Sequence, residues 1–433
     1  MSERADAVVI GAGVIGSSVA LELARGGRKV IVVDKGPSAG AGSTSSSSAI
    51  IRFCYSTPDA VLMAWESAAA WADFAGYLGH TDPDGMGHFV RTGHLIFRIP
   101  GANTQRFESV WNEVGIVYED LDTQEIARRW PGFDVGAYFP PKRIDDPAFG
   151  DDATSTLTAI FESQSGFMDD PMLCAQNFAY AAKQHGAEYR FHQEVVSIDR
   201  EGGHVSGVSL AGGERIVAPV VVNVGGPHAS VLNRMADVVS GMRISHRPLR
   251  SEVFTVEAPK GMTLEDGFPT LADLDVGQYI KPHFGGTWDV GCTEPDCDEL
   301  HWIDDPEQYD PYPTVEQFEV STMRVARRVP EFGIPHRPTG LAALYDVTTD
   351  WVPLYDKSDL PGFFMACGTS GNQFKNAPLA GQFLKLIIDA EAAGIDHDEQ
   401  PVQYVGPRTG RSINIGSFSR RRDPWATSNG VMG

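Results

Sequence analysis

The chain has 433 residues, 42% of them hydrophobic, and 35 basic against 57 acidic side chains give a formal net charge of -22. Such a balance repels polyphosphate backbones and anionic membranes, and no apolar run is long enough to span a bilayer, which argues against nucleic-acid binding and a transmembrane role. The length allows two domains or one elaborated domain, each with a sizeable core. No signal-peptide pattern precedes the first strand, so a folded, soluble, cytoplasmic protein is expected. Cys54, Cys174, Cys292, Cys297 and Cys367 are scattered without metal-ligand spacing and are expected to be buried or half-buried free thiols.

The first predicted element is a strand, Val8-Val9-Ile10, running into Gly11-Ala12-Gly13-Val14-Ile15-Gly16, a helix from Ser17 to Arg25 and a second strand, Lys29 to Val33, ending at Asp34. Gly11 permits the tight turn, Gly13 lets the backbone approach a pyrophosphate, and Gly16 allows close helix–strand packing. An acid about 20 residues on can accept the hydroxyls of an adenosine ribose and would repel a 2′-phosphate. The pattern therefore predicts a dinucleotide site. Beyond Asp34 and Lys35, the hydroxyl-rich run Ser43-Thr44-Ser45-Ser46-Ser47-Ser48 is read as a loop wrapping the cofactor. The following segment, Ala49-Ile50-Ile51-Arg52-Phe53, is apolar apart from Arg52, which either meets a structural acid or faces a ligand anion.

Further along, the periodicity predicts a helix over 59–79, a strand over 87–98 and a helix over 107–131. Next come a helix over 170–185, a hairpin over 195–210 and a buried strand, 216–224, ending at Gly225-Gly226-Pro227. Residues 248–293 are strand-like and 314–329 helical. A strand over 362–367 then enters the turn Gly368-Thr369-Ser370-Gly371, and a helix covers 378–393, repeating the opening pattern. The arginines 420–422 near the end of an aperiodic tail read as a solvated surface.

With these pieces in order, the chain resembles the D-amino-acid-oxidase superfamily of FAD-dependent oxidoreductases, most closely the sarcosine oxidase and glycine oxidase branch. The resemblance is carried by Gly11, Gly13, Gly16 and Asp34, by Ile50-Ile51-Arg52, by Gly166-Phe167-Met168-Asp169-Asp170-Pro171 and by Val222-Asn223-Val224-Gly225-Gly226-Pro227. Tyr345-Asp346-Val347-Thr348-Thr349-Asp350 and Gly368-Thr369-Ser370-Gly371-Asn372-Gln373-Phe374-Lys375 complete it. It implies an α/β fold: a discontinuous Rossmann-type FAD-binding domain (1–86, 151–235 and 336–395) interleaved with an α+β substrate domain on a mostly antiparallel sheet (87–150 and 236–335), and a C-terminal extension (396–433). FAD would be held by the glycine turn with Val14 and Ile15, by Asp34 and Lys35, by Ser43, Thr44, Ser45, Ser46, Ser48, Ala49 and Ile50, by Val195, Gly225 and Gly226, and by Gly368, Gly371, Asn372, Gln373, Phe374 and Lys375. The turn at Gly371 would aim N–H groups at the reduced flavin.

The same resemblance assigns Arg52 and Lys375 to the substrate carboxylate, Lys281 to oxygen activation, and Tyr279 and His283 to the substrate site. Family members that bind FAD covalently use a histidine in the loop after the ribose acid or a cysteine ahead of the Tyr-x-x-Thr segment. Here Ser43 to Ser48 contains no histidine and Ala343 takes the cysteine position, so noncovalent FAD is expected. Thr349 replaces the usual proline and Asn372-Gln373 the customary Gly-His. His228, His246 and His283 lack metal-ligand spacing and read as hydrogen-bonded structural residues. The implied reaction is oxidation of a carboxylate-bearing amine, sarcosine-like, by hydride transfer to flavin N5, giving an imine and, on reoxidation by oxygen, hydrogen peroxide. The alternative is a same-fold dehydrogenase passing electrons to a quinone, an electron-transfer flavoprotein or a partner subunit. A flavin monooxygenase and a noncatalytic flavin-binding subunit are more distant readings, and a homo-oligomer is compatible with any of them.

Overall fold

In the computed structural model, which describes residues 2–99, 102–428 and 430–432, two sheets dominate. The first has six strands in the order Glu188–Arg190, Val30–Val33, Ala7–Ile10, Val220–Asn223, Phe363–Cys367 and Leu354–Lys357; all run parallel except the last. Its central strands are near-continuous valine and isoleucine because both faces are covered. On one face the Val14–Arg25 helix packs between Pro171–Gln184 and Ala377–Ala392. On the other, Val8, Ile31 and Val221 meet a smaller sheet built on the hairpin Val195–Glu201 and His204–Leu210. Gly202 and Gly203 turn that hairpin at left-handed φ of 59° and 82°.

The second sheet has nine strands and is mostly antiparallel. The Val315–Arg328 helix, capped by Thr314, lays Phe318 and Val325 on it against Trp288 and Val290. Arg328, fully buried there, is paired with Asp273 at 2.6 Å and Asp275 at 2.7 Å.

Several boundaries differ from the sequence expectation. The region 107–131 is not one helix: Ala102–Val114 ends at Gly115 in a left-handed φ of 87°, Glu119–Leu121 is a strand, and Thr123–Arg129 starts from the Asp122 cap. The helix over 59–79 is likewise broken at Asp73, whose side chain caps Gly76. Ala159–Glu162 and Gly340–Thr348, assigned by sequence position to the cofactor unit, belong to the nine-stranded sheet. The first pairs with His94–Phe97, and the second runs in continuous register along His246–Glu257 from His246↔Thr348 to Phe254↔Gly340. Strand pairing decides membership, and it is not legible in local composition.

The tail also corrects the sequence reading. Arg420 and Arg422 are buried rather than solvated: Arg420 binds Asp356 and Asp398, and Arg422 clasps Asp350 through Nε at 2.9 Å and Nη2 at 2.7 Å. Only Arg421 of the three is exposed. Among the cysteines, none is in a disulfide, and Cys297 is exposed rather than buried.

Candidate active site

A cavity of about 1240 Å³, including its open mouth, runs from the opening glycine turn to the Gly368–Gly371 turn and on to the nine-stranded sheet. At its first end the packing leaves no room for side chains. A Cβ on Gly11 would lie 2.3 Å from Val224 O, and one on Gly16 would lie 2.0 Å from Gly11 O. Gly13 N-caps the Val14–Arg25 helix, and Thr44 Oγ1 accepts the Val14 N–H at 3.1 Å, which ties the hydroxyl-rich loop to the helix start. Asp34 accepts N–H groups of Ala12 and Gly36, both at 2.6 Å, so its carboxylate is oriented by the turn it follows.

At the other end, Asp346 holds the second turn. Its carboxylate accepts Gly368 N–H at 2.6 Å and meets His246 Nδ1 at 2.7 Å, while its backbone carbonyl accepts Ser370 N–H at 2.6 Å. Burial works against a charged His246, but Asp346 and Cys367 outweigh it and raise the imidazole well above its ordinary range. Gly371, at a φ of 70°, lies where a Cβ would strike the Tyr345 ring at 2.6 Å. Asn372 Nδ2 is buried on this wall without a protein partner among the described residues. Glycine cradles at both ends and an unpartnered donor beside the second of them fit a dinucleotide with a polar heterocycle.

Two cations line the same cavity. Arg52, 5% exposed, donates to Cys54 O and Val431 O at 2.6 Å and to Met432 O at 3.1 Å. Lys375, 3% exposed, donates to Asn372 O at 2.7 Å and Tyr55 Oη at 3.1 Å. The Tyr55 ring lies between them, 5.4 Å from the guanidinium and 5.2 Å from the ammonium. Neither cation forms an ion pair among the described residues. Burial, and then Arg52, hold the Lys375 ammonium well below the usual lysine range.

His94 completes this wall. Thr270 Oγ1 donates to Gly93 O at 2.8 Å, so its oxygen accepts from His94 Nδ1 at 2.9 Å, and Nε2 is left as a buried atom without a partner among the described residues. Burial, then Arg52 and Lys375, keep this imidazole well below its ordinary pKa.

Of the residues singled out from sequence, the cavity wall contains Gly13, Val14, Ile15, Gly16, Ser43, Thr44, Ser46, Ser48, Ala49, Ile50, Arg52, Gly226, Tyr279, Gly371, Asn372, Gln373, Phe374 and Lys375. Gly11, Asp34, Lys35, Ser45, Val195, Gly225 and Gly368 are not part of it. Lys281 and His283 do not line it either. Lys281 Nζ lies 3.1 Å from Asp289 and His283 Nε2 lies 2.7 Å from the same carboxylate oxygen, because Asp289 sits directly opposite Lys281 on the neighbouring strand. Tyr279 does face the cavity and bonds Ser48 at 3.1 Å. Sequence reasoning missed His94, Val253, Ala272, Val431 and Met432. A polar residue heading the apolar run Leu95-Ile96-Phe97 was the available signal for His94; two apolar residues in an aperiodic tail gave none.

Residues 6–385 match the family described as FAD dependent oxidoreductase. The protein belongs to that family. It is a flavoprotein of the FAD-binding, Rossmann-containing fold. The chain is 26% identical to monomeric sarcosine oxidase of Bacillus sp. (strain B-0618) over 66% of its length and 67% of that protein's, and 24% identical to FAD-dependent oxidoreductase domain-containing protein 1 of Xenopus laevis over 97% and 83%. In fold it is similar to L-proline dehydrogenase from P. horikoshii, with a TM-score of 0.75 and 21% identity over 97% of this chain and 98% of that one. Glycine oxidase from Geobacillus kaustophilus gives a TM-score of 0.70 at 21% identity over 92% and 98%.

Proposed function

We propose that this flavoprotein oxidises a carboxylate-bearing amine, with a secondary or N-methyl amino acid as the leading substrate. The observation that carries the reading is the pair of buried cations, Arg52 and Lys375, on one cavity wall, neither of them paired with an acid among the described residues. A buried charge with no counter-ion costs several kcal/mol, and an incoming carboxylate removes much of that cost while forming charge-assisted hydrogen bonds. Bound there, an amino acid is fixed at its carboxylate and its Cα or N-methyl carbon is held in one place. Unprotonated His94 Nε2 on the same wall is an acceptor for an amine N–H. FAD, when bound, supplies the two-electron acceptor. The amine loses a hydride from the carbon beside nitrogen and a proton from nitrogen, giving an imine that water hydrolyses.

The test is anaerobic mixing of the holoenzyme with sarcosine, L-proline, D-proline and glycine, alongside pyrrolidine and dimethylamine, while flavin absorbance is followed. Bleaching by at least one amino acid and by neither simple amine is expected. Equal reduction by the amines lacking a carboxylate, or reduction only by NAD(P)H, overturns the reading.

For the electron acceptor, one feature favours a carrier other than oxygen. Lys281 is paired with Asp289 and is not among the residues that line the cavity, so its charge is partly neutralised before it can act on a bound flavin. Lys281→Met is then expected to leave reoxidation by oxygen nearly unchanged, with a quinone the faster acceptor. A roughly hundredfold slowing by oxygen in the mutant, the scale for losing an electrostatic stabiliser, returns the assignment to an oxidase.

A further inference from the structure

The segment Gly430–Met432 crosses the end of the cavity where Arg52 lies. Its two carbonyls cap the guanidinium end-on: Val431 O takes Nη2 at 2.6 Å and Met432 O takes Nη1 at 3.1 Å, with Cys54 O on Nη1 at 2.6 Å. A guanidinium offers five N–H donors in a rigid fork, so these three bonds leave one edge, made by Nε–H and the second Nη2–H, without a protein partner among the described residues. An edge with two parallel N–H groups is what a carboxylate binds in bidentate fashion.

The segment is anchored by contacts of three kinds. Val431 N–H donates to Glu294 Oε2 at 3.0 Å. The Val431 side chain packs in an apolar cluster with Leu249, Val347 and Trp351, and Met432 joins the main core at 2% exposure. Gly430 lies so close to the neighbouring strand end that a Cβ would come within 2.6 Å of Thr293 O. A peptide held by a hydrogen bond, by burial and by close backbone approach is a wall rather than a loose flap.

We infer that Gly430–Met432 is a specificity-determining strap of the substrate site: it fixes the Arg52 fork so that the free edge receives the substrate carboxylate, while Val431 and Met432 limit the size of the group attached to it. The inference rests on the carboxylate reading of Arg52 given above. It goes beyond that reading in assigning the orientation of Arg52, and the size limit, to residues remote in sequence from both cations.

Acetate and benzoate are suitable probes, because each presents a carboxylate and they differ in bulk. Flavin absorbance of the FAD-loaded enzyme is titrated with both, for the full chain, for a chain ending at Asn429 and for Met432→Ala. The full chain is expected to favour acetate. Removal of the strap should weaken acetate at least tenfold, since the fork is no longer held, and shrink the acetate-to-benzoate preference at least tenfold. Met432→Ala, which keeps both strap carbonyls, should shrink the preference by itself, and it decides the matter if the shortened chain does not fold. Tighter binding of both probes without the strap would make the segment a competitor that substrate must displace, overturning the inference. Unchanged size preference in both variants overturns it too, with the carboxylate reading left standing. If neither probe is bound by any of the three proteins, the carboxylate reading falls and the strap falls with it.

Discussion

Arg52 and Lys375 are buried side chains held by carbonyl oxygens and a phenol, all neutral acceptors. Truncating one of two cations that share a desolvated anion costs about 2–4 kcal/mol, so Arg52→Ala should weaken acetate binding by that amount while the binding of uncharged amines barely changes. An unaltered acetate titration would make Arg52 a purely structural residue. A second residue-scale expectation concerns Glu294. Burial pushes its carboxyl up to about 8 from an ordinary 4.5, which the Val431 N–H only partly offsets. The folded state therefore retains a proton that the unfolded chain releases. The associated stabilisation is complete below about pH 4.5, falls as pH rises, and is gone above about pH 8. Glu294→Gln carries no such proton, so its melting temperature should gain on that of the native protein between pH 5 and 8 and keep a constant offset above that. A constant offset across the whole range would place the Glu294 pKa in the normal carboxylate region.

Element by element, what could be read from sequence is what short-range pattern encodes. The strand, turn and helix at Val8 to Arg25 were legible because valine runs, glycine spacing and helix periodicity all lie within about two dozen residues. Gly16 shows how tight that element is: a methyl group there would sit 2.0 Å from Gly11 O, which is backbone and cannot yield. Gly16→Ala should consequently yield protein without flavin, or none that folds, whereas Gly42→Ala, in open space on the adjoining loop, should bind FAD normally. Comparable flavin content in the two purified variants would sink this account of the turn. Cross-strand partners were not legible. Lys281 had the right residue type on the right strand, but its charge is set by Asp289, which only the antiparallel register places opposite it. The arginine run at 420–422 looked solvated for the same reason, since its carboxylates come from Asp350, Asp356 and Asp398.

Across the whole molecule, the cavity is built from pieces that are distant in the chain: the first helix start, the loop at 43–50, the strand carrying His94, the turn at 368–371 and the strap at 430–432. Most of the lining residues singled out from sequence come from the stretches where motifs are local, whereas Val253, Ala272 and Met432 are unremarkable apolar residues until tertiary pairing gathers them. A ligand that touches all of these pieces binds the folded chain and not the unfolded one, so its binding energy adds to the stability of the whole fold. FAD is expected to be noncovalent, given the histidine-free loop Ser43 to Ser48 and Ala343 in the position of the linking cysteine. It should then be removable, and apoprotein at a FAD concentration a hundredfold above the dissociation constant should gain about 2.7 kcal/mol of stability. The measurement is a thermal melt of apoprotein over a series of FAD concentrations, with acid precipitation of the holoprotein as its companion. A melting temperature that climbs with the logarithm of added FAD, and yellow colour left in the acid supernatant, are the expected results. Flavin that stays with the precipitate would mean a covalent link through some residue other than the two positions considered. A melting temperature indifferent to FAD would mean that the folded apoprotein does not bind the cofactor in preference to the unfolded chain.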